Sequence, residues 1–280
     1  MVKSLPARAV AALLALCVAL LAACSSGSSG GSGSNALGVK SPGTLKIGTS
    51  NNIKPYAYEE NGKLTGFEID LISAAAKQIG LKPSFVAMDF SGLLPAVNNR
   101  QFDVAASAIG ITAERKQMVD FSHGYLAGYF GVLTRPRSGI TKSVSSVKGK
   151  KIAVLQGSIE DSLSSKLIPG ANIVRFPDDN TADLALKDSR VDGFFNDYDP
   201  NLGIIKKYAD LHLVQPVIIP ATSSPAGWAV KKGNTKLLTA LNGALDKLVK
   251  NGTWLRLYKK YFPQDPTPTA SQLPPYEAAA

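Results

Sequence analysis

Residues 103–124 read DVAASAIGITAERKQMVDFSHG. The largely apolar run from Asp103 to Ile109 predicts a strand, Gly110 a sharp turn, and Thr112 the opening of a helix with Arg115 in its first turn. A strand that turns into a helix is the repeating joint of open α/β sheets. Such sheets bind ligands in the crevice at the carboxyl ends of their strands. A guanidinium and the N–H groups of a helix start, placed there together, favour an anion. The stretch therefore predicts both an α/β fold and a ligand site that includes Arg115.

The same rhythm extends in both directions. Leu45 to Thr49 predicts a short strand, and Asn61-Gly62 a hairpin-like turn. Asp70 to Ile79 carries Leu71, Ala75 and Ile79 at helical spacing and stops at Gly80. Phe85 to Met88 reads as extended, and Ser91 to Asn99 as helical. Lys151 to Leu155 reads as a buried strand. A helix follows Gly157-Ser158, with Ser158 as its N-cap and Asp161 three residues on. Asn172 to Phe176, Thr181 to Ser189 and Val191 to Phe195 repeat strand, helix, strand. Leu237 to Lys250 is amphipathic and ends at Asn251-Gly252, and Thr253 starts a last helix to Tyr261. This alternation predicts an α/β fold with largely parallel sheets, although periodicity leaves their number open.

With 280 residues, 45% of them hydrophobic, the chain can bury a sizeable core and is long enough for two lobes. The 31 Lys+Arg against 21 Asp+Glu give a net charge of +10. The basic residues are scattered, with no interleaved aromatic and basic motif, so a solvated basic surface near anionic lipid is expected and no nucleic-acid partner. Cys17 and Cys24 are the only cysteines. The folded part therefore has no disulfide, thiol nucleophile or cysteine metal site. His123 and His212 stand alone, without partners at metal spacing. No metal or cofactor is expected.

Lys3 and Arg8 precede an uncharged apolar run, Ala9 to Ala23, of signal-peptide length and short for a membrane span. Its end, Leu21-Ala22-Ala23-Cys24, resembles a bacterial lipobox. The resemblance implies a signal peptide at 1–23 and a diacylglycerol on Cys24. An ordinary secretory signal or an uncleaved anchor is the alternative. Residues 24–42 then form a Gly/Ser-rich tether, and 264–280 a Pro-rich disordered tail.

A set of short pieces occurs in a recognisable order. They include Pro55-Tyr56-Ala57-Tyr58, Gly66-Phe67-Glu68-Ile69-Asp70-Leu71 and Met88-Asp89-Phe90-Ser91-Gly92. Thr112-Ala113-Glu114-Arg115, Asp120-Phe121-Ser122, Gln156-Gly157-Ser158, Val191 to Asp197 and Asn251-Gly252-Thr253 follow. Together they resemble the amino-acid-binding proteins of ABC importers, solute-binding protein family 3, with the glutamine and polar amino-acid binders nearest. The resemblance implies the type II periplasmic-binding-protein fold, two α/β lobes joined by two hinge strands with the ligand between them. It implies lobe one at 43–127 plus 226–263 and lobe two at 128–225, with crossings near Tyr125 to Tyr129 and Ser223 to Gly227. It further implies a monomer that delivers an amino acid to a permease and its ATPase on the extracytoplasmic face of the membrane.

An amino acid presents a carboxylate and an ammonium, and burying either requires an opposite partner. By the resemblance, Arg115 grips the carboxylate; read from its residues alone, Arg115 could equally form a surface ion pair with Glu114 or Asp120. Ser107, Ala108 and Gly110 would meet the ligand through the backbone, and Gly110 stands where the family commonly carries a hydroxyl. Gln156, Gly157 and Ser158 would add N–H groups at a helix start. Asp197 matches the family's ammonium-binding carboxylate, with Asp199 a weaker substitute and Asp192 structural. Phe90, Ile53, Tyr56 and Asn196 would shape the side-chain pocket, and Ile53 replaces an aromatic found in many relatives. A dehydratase-like enzyme of the same fold, using an acid among Asp197, Asp199, Glu160 and His123, is a competing expectation. A tethered sensory module is another.

Overall fold

The computed structural model describes residues 36–220, 225–263 and 273–276. The expected leader, Cys24 and the glycine-rich part of the expected tether lie outside the described residues, as do Ser223 and Ser224 of the expected second crossing. In chain order the elements are β1 (Thr44–Thr49), β2 (Asn52–Ile53), β3 (Ala57–Glu60), β4 (Lys63–Thr65), α1 (Phe67–Gln78), β5 (Lys82–Ala87) and α2 (Phe90–Asn98). Then come β6 (Val104–Ala105), α3 (Arg115–Met118), β7 (Val119–Phe121), β8 (Tyr129–Thr134), β9 (Lys151–Leu155), α4 (Ile159–Leu167), β10 (Asn172–Phe176) and α5 (Asp179–Lys187). The chain finishes with β11 (Gly193–Asp197), α6 (Tyr198–Lys207), β12 (Val214–Pro220), β13 (Ala229–Lys231), α7 (Thr235–Lys250) and α8 (Thr253–Tyr261).

Two five-stranded sheets organise these elements, in the orders β5-β1-β6-β13-β7 and β10-β9-β11-β8-β12. In each, three parallel strands are followed by one antiparallel strand and then by a last strand that runs with the first three. The second sheet shows why its strands read as unbroken apolar runs. Val132, Val154 and Phe195 feed one buried cluster, while their neighbours Leu133, Ala153 and Phe194 feed another on the opposite face. Side chains alternate across a strand, so a sheet covered by helices on both faces needs apolar residues at every position. The first sheet packs β1 against α1, α7 and α8 on one face and α2 on the other. A small antiparallel sheet, β2-β3-β4, turns at Asn61-Gly62, both with left-handed backbone, as the turn signal predicts.

Some boundaries differ from the sequence reading. Helix α1 begins at Phe67, three residues before Asp70, because Phe67 and Glu68 are drawn into the core. Gly66 makes this entry feasible: its φ is 130°, and a Cβ there would lie 2.1 Å from the Tyr56 carbonyl oxygen. The strand expected over 103–109 pairs only at Val104–Ala105. The left-handed turn falls at Ala108, φ 49°, rather than at Gly110, and α3 is a single turn starting at Arg115. Residues 36–42, read as the end of the tether, lie on the first lobe, where Lys40 N–H donates to Asp103 Oδ1 at 2.7 Å. Four residues of the tail also dock rather than hang free. Tyr276 N–H donates to the Gly124 carbonyl at 2.9 Å, and Leu273 packs on the first core.

The chain passes between the sheets twice, and the two passages touch. Ala226 N–H donates to Leu126 O at 2.7 Å, and Tyr125 N–H to Ala226 O at 2.8 Å. Between the sheets, beside this paired connection, lies a cleft.

Candidate functional site

Of the expected site residues, Ile53, Tyr56, Phe90, Ser107, Ala108, Gly110 and Arg115 line the cleft from the first lobe, and Ser158, Asn196 and Asp197 from the second. Gln156 and Gly157 do not line it. Arg115 spans the gap. Its Nη1 donates to the Gly110 carbonyl and its Nη2 to the Gly157 carbonyl across the cleft, both at 2.8 Å. The guanidinium carbon sits 5.7 Å from the centre of the Phe90 ring, a cation–π arrangement. The alternative of a surface pair with Asp120 does not form: that carboxylate accepts from Gly233 N–H at 2.7 Å. Burial lowers the Arg115 pKa from its ordinary value, opposed by the nearby carboxylates of Glu160 and Glu114.

Two backbone expectations need correction. Ala108 N–H is not offered to a ligand; it donates to Glu68 Oε2 at 2.8 Å. The Gly110 carbonyl is held by Arg115, and Ser107 Oγ accepts from Ser50 N–H at 3.2 Å. Arg115 is thus clamped to the strand end that precedes it, which fixes where its remaining guanidinium N–H groups can act.

The second lobe also differs. Its expected anion cradle is filled by the protein itself. Gln156 N–H donates to Phe176 O at 2.8 Å, Ser158 N–H to Leu155 O at 3.1 Å, and Gly157 N–H to Asp161 Oδ2 at 3.0 Å. Ser158 caps α4 as predicted, accepting from Asp161 N–H at 3.0 Å. The Glu160 carboxyl then turns back to its own N–H and to the Ser158 hydroxyl. The N–H groups of residues 156–158 are therefore already taken, and this face presents carboxyl groups to the cleft.

Glu160 and Asp197 both line this face and hydrogen-bond each other. Burial raises the pKa of each, most strongly for Asp197, where the charges of Glu160, Asp199 and Asp179 add to the effect. Asp197 as a residue is half-buried at the cleft wall. Asp192, by contrast, is structural: its Oδ2 accepts from Lys151 N–H at 2.8 Å. Asn196 accepts the Asp197 N–H at 2.9 Å, and its buried Nδ2 has no partner among the described residues.

Beside the pair, Asp179 is 6% exposed and neither carboxyl oxygen has a hydrogen-bond partner among the described residues. Burial, then Glu160, Asp183 and Asp178, push its pKa up to about 8. The sign of the pH dependence follows. Between its unfolded value near 4 and about 8, the folded state holds a proton that the unfolded chain gives up. Its contribution to stability is therefore complete below about 4 and lost as the pH rises to about 8. The ligand-free protein is expected to melt lower at pH 8 than at pH 5, and Asp179→Asn to flatten that slope. An unchanged slope in the variant would mean that Asp179 is not the titrating group.

Glu160, named in the sequence only as a candidate acid for an enzyme, and Glu68 both enter this arrangement without having been expected as binding-site residues. Glu160 sits directly after a turn-and-cap signal that marks only a helix start. Glu68 belongs to a recognised motif, but its contacts come from remote parts of the chain.

The match to the model of the bacterial extracellular solute-binding proteins, family 3, runs over residues 45–264. The chain belongs to this family. That membership fits the observed type II fold and places the protein on the extracytoplasmic side of the membrane. Similar proteins include the L-cystine-binding protein TcyJ of Escherichia coli K12, 31% identical over 231 residues, covering 82% of this chain and 86% of the relative. A probable histidine-binding protein of Campylobacter jejuni is 31% identical over 221 residues, covering 78% and 84%. Among solved structures, an ancestral arginine-binding protein bound to arginine superimposes with a TM-score of 0.75 at 35% identity, covering 79% of this chain and 98% of that one.

Proposed function

We propose that this family member captures an amino acid between its lobes and hands it to a membrane permease driven by a separate ATPase. One observation carries the reading: a guanidinium on the first lobe, Arg115, faces a carboxyl wall containing Asp197 on the second. A zwitterion joining them would pair both of its charges and draw the lobes together, a hinge closure of the usual kind. The moving units are residues 43–127 with 226–263 and residues 128–225. A lipid on Cys24 would keep the domain on the membrane. The relatives named for cystine, histidine and arginine support an amino acid as cargo. In this reading the cleft acids bind charge rather than turn over substrate.

Thermal unfolding of the purified protein against a panel of amino acids tests the reading. A ligand bound only by the folded state stabilises it by about 2.7 kcal/mol at a hundredfold excess over Kd. One or a few amino acids are expected to raise the melting temperature. A panel without any shift, with a prephenate-like compound consumed instead, would replace binding by catalysis.

A further inference from the structure

Amino-acid capture accounts for one acid on the second lobe, and the cleft has two. Opposite them, Arg115 is the only cationic residue lining the cleft among those described. A bound zwitterion would match its carboxylate to Arg115 and its ammonium to Asp197. Glu160 is then left over. It is 5% exposed, lies in the first turn of α4 and touches Asp197, so it has little access to solvent counter-ions. Asp199 adds negative potential beside the pair, and Asp179, with two unpartnered oxygens, lies close by. Among the described residues no acidic or histidine side chains are grouped to hold a metal ion. Two groups near this wall, Asn196 Nδ2 and the Asp179 carboxyl, are buried without a hydrogen-bond partner. A buried polar group without a partner is costly.

We propose that Glu160 is a specificity-determining residue: with Asp197 it forms a two-carboxylate wall that, against the single guanidinium of Arg115, selects amino acids carrying a second positive charge. The inference rests on the amino-acid reading above and narrows it to basic amino acids. Its physical basis is charge balance in an enclosed space. A neutral amino acid leaves the Glu160–Asp197 pair with an excess negative charge, which the site can remove only by keeping a proton. A basic amino acid supplies the missing charge itself and lets that proton leave. Arg115, Asp199 and Asp179 face the pair from the other elements around it, and only Arg115 opposes its negative charge.

Calorimetric titration with near-isosteric ligands tests this. Arginine and citrulline differ in side-chain charge but share the carboxylate and ammonium; lysine and norleucine form a second pair. The native protein is expected to bind the charged member of each pair at least tenfold more tightly, with proton release seen as a dependence of the heat on the buffer. Glu160→Gln keeps the side chain's size and is expected to reduce the charged ligand's advantage about tenfold while neutral ligands hold or gain affinity. A merely structural role would weaken both members equally. Equal affinity for both members in the native protein, or an unchanged ratio in E160Q, overturns the inference and leaves amino-acid capture standing. Absence of binding by every amino acid overturns the capture reading and this inference with it.

Discussion

Arg115→Ala is expected to remove tight ligand binding while leaving the fold in place. The guanidinium already spends two N–H groups on the Gly110 and Gly157 carbonyls, both at 2.8 Å. Those bonds hold the planar fork in one orientation, so that its remaining donors meet a carboxylate without further ordering. Truncation removes the cleft's counter-charge and its contact with Phe90 together. Stranding a buried charge costs roughly 3–5 kcal/mol, about two to three and a half orders of magnitude in Kd. Stability should change far less, because Gly157 is exposed and Gly110 borders the cleft, so both freed carbonyls can reach water. Arg115→Lys should recover only part of the affinity, since one ammonium cannot serve two carbonyls and a carboxylate in the same plane. Titration calorimetry on the three proteins decides: an alanine variant within threefold of the native Kd removes Arg115 from the site.

What could be read in advance depended on how local its cause was. Lys151–Leu155, Asn172–Phe176 and Thr253–Tyr261 form as read, because each is a continuous run closed by turn residues. Strand β12 has no such local signature. Pro216 interrupts it, the register shifts between Val214 and Val217, and its pairing with β8 comes from the fold. The run at 103–109 promised a longer strand than forms, because the remote Glu68 takes the Ala108 N–H out of the ladder. In the cleft, Arg115 and Asp197 were legible through their places in a recognised order of motifs. The pairing of Glu160 with Asp197 was not, although Glu160 was named as a candidate acid, because the Ser158–Asp161 cap explains that segment completely at the level of one helix. Only the approach of β11 shows that the same turn faces another acid.

Glu68→Ala is expected to produce the largest loss of stability of any single change outside the cleft. The carboxylate is 1% exposed and gathers three donors: Ala108 N–H at 2.8 Å, Trp228 Nε1–H at 2.7 Å and the Tyr125 hydroxyl. These donors come from the strand end that carries the site, from the return passage into the first lobe and from the outgoing passage. Burial raises the Glu68 pKa, and its three donors oppose that rise. Trp228 and Tyr125 are fully buried and pack with ring centres 5.1 Å apart and planes tilted by 30°, so neither can turn to water when the acceptor is removed. Each stranded donor costs about 1–3 kcal/mol, and the three share one cavity, so a total of roughly 3–5 kcal/mol is expected. For a domain of this size that is a fall of about 10 °C in Tm. Glu68→Gln retains the volume but replaces one acceptor oxygen by a donor, which leaves either Trp228 or the Ala108–Tyr125 pair poorly matched; about 1–3 kcal/mol should be lost. Ligand affinity should weaken in both variants, because Ala108 and the two passages between the lobes lose their common anchor. Denaturant unfolding with and without ligand measures both effects. A Glu68→Ala protein that unfolds within about half a kcal/mol of the native one would show that the three donors find other partners, and that the strand end is held by packing alone.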